Sequence, residues 1–548
     1  MHRRPLTKIA PFVLLATGCG LALAAACSNS PNTPGNAPIA GTGNTAGSAT
    51  TGGAGASSTA GTGTGGAVAG GSMGGSGTAG TTGGGGSGTG GGAGAGGGGS
   101  VACKAVTPLN GAGVTMAATD ISAFKYAPPP AAHITKMAYD PVSMVVVMVN
   151  GDDGKLFSVD PKVALPTTAM TAALTTAKAY DAGYTVPAGY GTGVYQPFRG
   201  LAFGPDGSLY VMAAKEGGVA ISKGAPPAAA GGARTWTTIV TTSMPFPKGQ
   251  SDNYNHSFSG IAVSADGKSL FFSSGSRTEH GEPEGGAGDG REYPLSSAIF
   301  KVPTDSMTDL KNDATALMPF MFADGTRNSF DLAFNAAGDL IGTENGPDMD
   351  LPDEVNFLEQ GKHYGFPWRF GNVDNPTRDA AFAPASDKRL RATYGGYNLY
   401  KYDAAFPAAP AGGFTDPIMN LGPAADFGIM DANSTPTQMG AKGGLAGVTS
   451  HRSPLGLSFD VAGALCGDYL KQGFMLSYGP IPGGSIGDLG EDLLFVSLTK
   501  ADGKYTMHAK QLASGIKQPM DSVLVGNRLF TIGQGDAAQL FVFVLPTP

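Results

Sequence analysis

Arg327 and Asn328 stand directly before the apolar run Phe330 to Phe334, which puts two polar side chains at the end of an expected strand, where the loops of a sheet converge. A little downstream, Asp348, Asp350, Asp353 and Glu354 crowd a loop that also holds Gly346, Pro347 and Pro352. Hard oxygen ligands at irregular spacing suit calcium, which takes about six to eight of them in flexible geometry. The competing reading is a solvated acidic loop. His256 lies just ahead of a second apolar run, Phe258 to Val263. Its imidazole is largely neutral near pH 7, although a lone histidine beside a strand is more often structural than chemical.

These residues sit in a recurring hairpin texture. Ala202 to Val211 reads as strand, Asp206-Gly207 turn, strand, and Ala262 to Phe271 repeats it around Asp266-Gly267. A third copy runs from Ala333 to Leu340 with a changed turn. The copies start 60 and then 71 residues apart, and fainter ones lie at Ala138, Leu457 and Val523. A hairpin every ~65 residues without helical periodicity between copies points to a radial or stacked array of small sheets with long loops. The stretch 366–447 looks like an insertion, and without it about six units fit at that spacing. The competing architecture is a pair of β-sandwiches whose turns coincide by chance.

The rest of the 548-residue chain is organised around that body. His2, Arg3, Arg4 and Lys8 precede an apolar stretch from Ile9 to Ala26, a secretory signal pattern. Leu23-Ala24-Ala25-Ala26-Cys27 resembles a bacterial lipoprotein processing site, so residues 1–27 are expected to be a signal peptide with Cys27 lipidated, and the protein to be an exported envelope lipoprotein. From 28 to 102 the chain is Gly, Ala, Ser and Thr with few large apolar residues; it cannot bury enough surface to order itself and is expected to be a disordered tether. The folded domain is then 103–548. Cys103 and Cys466 remain in it, and the sequence leaves open whether they pair. A net charge of −7 and the lack of a basic stripe argue against nucleic-acid binding.

The order Gly325-x-Arg327-Asn328 with Leu332-Ala333-Phe334, then Thr343-Glu344-Asn345-Gly346-Pro347, Asp353-Glu354-Val355-Asn356 and Tyr364-Gly365-Phe366-Pro367 resembles the glucose/sorbosone dehydrogenase family of soluble quinoproteins. Asn255-His256-Ser257-Phe258-Ser259-Gly260 is similar to a further motif of that family. The resemblance implies an all-β, six-bladed propeller of four-stranded blades, and oxidation of an aldose or related polyol with PQQ and calcium. It makes His256 the general base and Arg327 the donor that stabilises negative charge on the quinone oxygen. Asn328, Asn345 and Lys500 would contact the cofactor; Gly346 and Pro347 would offer carbonyls to a cofactor-bridging calcium; and Glu354, Tyr364 (by its carbonyl) and Asp374 would hold a second calcium.

One departure concerns charge. The family's arginine pair, which holds PQQ carboxylates, should fall where this chain reads Gln518-Pro519-Met520-Asp521. Charge-assisted bidentate contacts are among the stronger hydrogen bonds, so Arg452 or Arg199 would have to compensate. The rival functions are a non-catalytic propeller that binds carbohydrate or protein, and a calcium-dependent propeller hydrolase such as a lactonase.

Overall fold

The computed structural model describes residues 102–548 apart from 132, 170–172, 181, 244–255, 284–290, 388, 391–399, 426–443, 480–489 and 536. The expected signal peptide, and all of the expected tether except Ala102, lie outside the described residues. Among those residues no helix is long and apolar enough to cross a membrane.

The domain is an all-β propeller. Six sheets succeed one another along the chain, each opening with an innermost strand: β1 (Ile134–Asp140), β2 (Gly200–Phe203), β3 (Phe258–Val263), β4 (Ser329–Phe334), β5 (Pro454–Phe459) and β6 (Pro519–Val525). These strands touch in a closed ring, β1 to β2 and onward to β6, which returns to β1. All six expected hairpin copies fall on these strands and their partners. The tight turn of the second sheet needs Gly207, whose φ of +80° lies in the left-handed region. The last sheet is completed by Ser122–Lys125, paired antiparallel with Gln539–Val544, so the two ends of the domain close the ring together. Cys103 and Cys466 do pair, with Cα atoms 5.8 Å apart, tying the start of the domain to the fifth sheet.

The expectation of six four-stranded blades needs one correction. Five sheets have four or more strands, but the fourth has three: β4, Leu340–Glu344 and Glu354–Leu358. The segment that follows, Lys362–His363, crosses over and pairs in parallel with Met321–Asp324 of the third sheet. The insertion adds Met419–Asn420 and Leu445–Ala446 to the outer edge of the fifth sheet.

Alternation along the strands makes the disc. In Val145–Asn150, Val146 and Met148 pack toward the sixth sheet while Val147 and Val149 pack toward the second. In Leu209–Lys215, Tyr210, Met212 and Ala214 face the third sheet, and Leu209, Val211 and Ala213 the first. A strand covered on both faces reads as continuously apolar, because successive side chains point to opposite neighbours.

The inner strands also begin at the same end. Thr135 Oγ1 donates to Phe198 O, Ser273 Oγ to Ser329 O (2.6 Å), and Asn345 Nδ2 to Pro454 O (3.1 Å), so residues at this end of one sheet, on its inner or second strand, bond those at or just before the start of the next inner strand. Five of the six carry a register irregularity within their first residues: Ile134/Lys136, Ser259/Ile261, Ser329/Asp331, Pro454/Leu457 and Pro519/Asp521. Such bulges bend the strand and re-aim its residues. The residue after the bulge points into the channel in three sheets. Lys136 Nζ lies 2.7 Å from Asp331 Oδ1, across the ring, and 3.8 Å from Asp521 Oδ1. The remaining carboxylate oxygens accept from backbone: Leu457 N–H to Asp331 Oδ2 (2.8 Å) and Met137 N–H to Asp521 Oδ2 (2.6 Å).

Burial, reinforced by Asp331, pushes Asp521 up to about 8 against the opposing pull of Lys136. A carboxyl raised in the folded state stabilises fully at low pH, and that contribution fades as pH climbs toward the folded value. The melting temperature should therefore fall as pH rises from 6 to 8.5, and Asp521→Asn should flatten that fall. Calorimetry across the pH series checks it; an unchanged slope in the variant would refute the assignment.

Candidate active site

Because the inner strands start together, the residues preceding them meet at one mouth of the channel: Arg199 before β2, His256 before β3, Arg327 and Asn328 before β4, His451 and Arg452 before β5, Gln518 before β6. His256 and Arg327 are linked through one residue. The His256 N–H donates to Ser276 O (2.9 Å) and the Ser276 N–H to Arg327 O (2.6 Å).

The side chain of Ser276 sets the tautomer of His256. Its hydroxyl donates to Thr278 O (2.8 Å), so toward His256 Nδ1, 3.0 Å away, the same oxygen acts as acceptor. Nδ1 then carries the proton and Nε2 the lone pair. Burial, then the guanidiniums of Arg327 and Arg199, push this imidazole well below its usual 6.5. It is a neutral base at pH 7.

Arg327 is 1% exposed, and its donors are engaged. Nε donates to Glu279 O (2.9 Å), Nη1 to Asn345 O (3.1 Å) and Gly346 O (2.6 Å), and Nη2 pairs with the Glu279 carboxylate. The other Glu279 oxygen accepts from Tyr400 OH (2.6 Å) and the Asp348 N–H. Burial pushes Glu279 up to about 7 despite Arg327, with Asp348 adding to the rise. Asn328 lies beside Arg327 as expected, its Nδ2 donating to Asn345 Oδ1 (2.8 Å). Asn345 spends its own amide on Pro454 O, so both ends of that side chain hold the protein together.

Two expectations are corrected here. Lys500 is not at the mouth: it pairs with Asp339 Oδ2 (2.7 Å) in the turn beyond the opposite end of β4, and six strand residues separate the two ends by roughly 20 Å. Arg452 is at the mouth but is 4% exposed and bound to both oxygens of Asp492 (2.9 and 3.0 Å), so its charge is already compensated. Met520 is buried in the core between the sixth and first sheets, and Gln518 stands before β6, so no cation replaces the arginine pair there. Arg199 bonds the carbonyls of Gln196 (3.1 Å) and Tyr195 (2.6 Å).

The acidic loop does not gather as a metal shell either. Asp350 pairs with His451 Nε2 (2.8 Å), and Asp353 accepts from the Gly346 and Ser453 N–H groups (2.5 and 2.7 Å), clamping the Gly-Pro corner to the loop before β5. Burial pushes Asp353 up to about 6. Gly346 is required at that corner, since a Cβ there would lie 2.6 Å from Pro352 O. Its carbonyl faces Arg327, which makes Gly346 and Pro347 a poor seat for a cation as they stand. Asp374 is in solvent near Arg378 (3.9 Å), with 83% of its side chain exposed, so it does not join Glu354 and Tyr364. Among the described residues no group of three or more His, Cys, Asp or Glu could hold a metal ion.

What does converge is a pair of carboxylates around one amide. Asn356 Nδ2 lies 3.0 Å from Glu354 Oε2 and 3.5 Å from Glu344 Oε2, while the buried Asn356 Oδ1 has no partner. Burial and mutual repulsion push Glu344 well above the usual carboxylate range, and burial takes Glu354 to about 7. Two neighbouring carboxylates are oxygen donors of the kind a hard cation takes, while the amide turns its NH2 group, not Oδ1, toward both. Glu344 stands inside a motif read from the sequence yet drew no role there. Glu279, Ser276 and Tyr400 were missed altogether; the only signal for Glu279 was a dense polar run, Arg277 to Glu282, after an apolar strand.

The fold and this mouth define a β-propeller with an oriented imidazole and a buried guanidinium at one end of its channel. Residues 229–381 match the model of the family described as Glucose / Sorbosone dehydrogenase, and over that stretch the resemblance read from the motifs is shown. The holo form of the pyranose dehydrogenase PQQ domain from Coprinopsis cinerea shares the fold with a TM-score of 0.51 at 12% identity, covering 80% of this chain and 100% of its own. The apo soluble aldose sugar dehydrogenase of Escherichia coli has a TM-score of 0.46 at 13% identity, covering 77% of this chain and 99% of its own. The PQQ-bound aldose sugar dehydrogenase of Streptomyces coelicolor has 0.43 at 16%, covering 77% and 96%. No curated protein matches. At these identities the likeness is one of fold.

If burial and two arginines hold His256 neutral, its ring should not titrate between pH 6 and 8 and should show the Nδ1-protonated tautomer. Long-range proton–nitrogen NMR reads both, and Ser276→Ala should mix the tautomers. A midpoint near pH 7 would contradict the electrostatics.

Proposed function

We propose that this protein is an oxidoreductase of the cell envelope that oxidises an aldose or related polyol, with PQQ as the hydride acceptor and calcium as a second cofactor. The observation that carries the reading is the shared mouth of His256 and Arg327, joined through Ser276, in a propeller matched over 229–381 by the sugar dehydrogenase family.

His256 accepts the proton of the reacting hydroxyl on Nε2, because Ser276 keeps the other nitrogen protonated. Burial and the neighbouring guanidiniums disfavour the imidazolium that forms, so the field that keeps the ring neutral and ready to accept also lowers its basicity. Arg327 would stabilise the negative charge on the quinone oxygen, the role the resemblance implies, and the observation that supports this fit is that its guanidinium stands at the mouth beside His256, close enough to lower that imidazole. PQQ, when bound, supplies the electrophilic quinone carbon that takes the hydride. Calcium would be held best by Glu344 and Glu354, two buried carboxylates brought to one amide, that of Asn356.

One observation favours a second reading, a carbohydrate-binding propeller without turnover: Arg452 is compensated by Asp492 and Lys500 is remote, which leaves the remaining cofactor carboxylates without their expected cations. For location, the reading rests on the signal pattern and Cys27; Cys27→Ser should move the protein from the membrane to the soluble fraction, and retention in the membrane would refute the anchor.

Reconstitution with PQQ and calcium followed by dye reduction on a panel of aldoses and polyols separates the readings. Turnover is expected, lost on chelation and reduced about 10²–10⁴-fold by His256→Ala. Sugar binding without dye reduction would favour the second reading.

A further inference from the structure

The crossover of Lys362–His363 onto the third sheet builds a cavity that the mouth does not use. His363 pairs in register with Asp324, and the Tyr364 and Phe366 N–H groups donate to Asp324 O and Gly325 O (both 2.9 Å). These bonds lay the segment 363–368 along the end of Met321–Asp324. Between that segment, Met321 and the connection before Ala298–Pro303 lies a cavity of about 370 Å³, within the ~300–1,000 Å³ range of small-molecule sites. Two of its walls set it beside the mouth. Gly325 precedes Arg327 by two residues, and a Cβ on it would run into the His363 ring. The Glu292 carboxylate accepts from the Arg277 and Thr278 N–H groups (both 3.0 Å), next to the Ser276 that orients His256.

The lining includes Tyr293, Met321, Phe366 and Trp368, with few polar side chains among them. Glu292 is already engaged, since it also accepts from the hydroxyls of Thr278, Ser296 (2.5 Å) and Ser297 (2.9 Å). Asp324 and His363 differ. The Gly365 N–H donates to His363 Nδ1 (3.0 Å), so the neutral ring carries its proton on Nε2. Burial lowers this imidazole below its usual value against the pull of Asp324, which keeps it neutral. Among the described residues nothing accepts from Nε2–H, and nothing beyond its own N–H bonds the Asp324 carboxylate. No hydrogen bond or ion pair joins the two.

One unmatched donor and one unmatched acceptor beside aromatic rings select the ligand. A cation would suit Asp324 but meet the Nε2 proton of His363, and an anion would face both Asp324 and Glu292. A hydroxyl both donates and accepts, so it serves the two groups at once. A ring with hydroxyls on its edge and C–H groups on its faces would also cover Trp368, a half-buried indole near-parallel to Phe414 (26°, centroids 6.1 Å apart).

We propose that this cavity is a carbohydrate-binding site separate from the mouth, in which a neutral sugar ring packs on Trp368 and sets one hydroxyl between Asp324 and His363. The inference does not rest on the quinoprotein reading: it needs neither PQQ nor calcium, and holds for a dehydrogenase and a binding propeller alike.

The test uses the full chain without cofactor. Trp236 and Trp368 are its two tryptophans, so Trp236→Phe leaves Trp368 as the one indole reporter. Titration of that variant with glucose, maltose and cellobiose should give a saturable fluorescence change with at least one of them. Adding Asp324→Ala should weaken that binding at least about tenfold, whereas adding His256→Ala should leave it unchanged. Calorimetry on Trp368→Ala should show a similar loss. No saturable response to any of the three sugars overturns the proposal, and so does a response that Asp324→Ala leaves intact or His256→Ala removes. A response to choline in place of the sugars marks a cation site and overturns it too. Should Asp324→Ala fail to fold, Asp324→Asn keeps the shape, weakens the acceptor and is expected to lower affinity about threefold; unchanged affinity there counts against the site. Sugar binding by these criteria without dye reduction on adding PQQ and calcium leaves this site standing while the quinoprotein reading falls.

Discussion

Lys136 is a buried ammonium that spans the axis of the propeller, and the order of the inner ring depends on it. Its partner Asp331 lies in the sheet across the channel, and Asp521 in the sheet beside its own. Taking charges out of water is costly, and such a pair holds only when geometry and further hydrogen bonds compensate. Here they do, because the bulges free the N–H groups of Leu457 and Met137 to meet the remaining carboxylate oxygens. One cationic centre thus joins the first, fourth, fifth and sixth sheets at the depth where their inner strands begin. That common origin is what brings six separate pre-strand segments to one mouth.

The mouth repeats the same rule at Arg327. A guanidinium with 1% exposure has to be surrounded by acceptors, and the chain supplies Glu279, Asn345 and Gly346 for it. The consequences run outward. The Gly346 carbonyl is turned toward Arg327 rather than outward, Asp353 clamps the corner from behind, and Tyr400 reaches in from the insertion to hold Glu279. His256 feels the result as a positive field that keeps it neutral. The site is therefore electrostatically closed in this form, with a neutral imidazole beside a guanidinium whose charge Glu279 compensates.

Much of the architecture was legible. Hairpin copies at Ala138, Ala202, Ala262, Ala333, Leu457 and Val523 all fall at the inner strands, because a turn with Asp-Gly and a two-sided apolar strand leave local marks. The pairing of His256 with Arg327 was also legible, through motif order. Lys500 and Asp374 misled because motif order settles neither the end of a long strand at which a residue falls nor the side of a turn it faces: Lys500 lies near the far end of Asp492–Ala501, and Asp374 is exposed. Glu279 and Tyr400 lie in long irregular connections, where no periodicity announces what a side chain will meet.

By itself the sequence determined the strand-by-strand alternation, the number of repeating hairpins and the presence of an imidazole and a guanidinium ahead of two inner strands, since these follow from local pattern and turn chemistry. Only the tertiary structure decided which buried charges compensate one another. Lys136 with Asp331 and Arg327 with Glu279 join residues 195 and 48 positions apart. Desolvated charges must find partners wherever the ring brings them, and closure of the ring is a property no local segment carries.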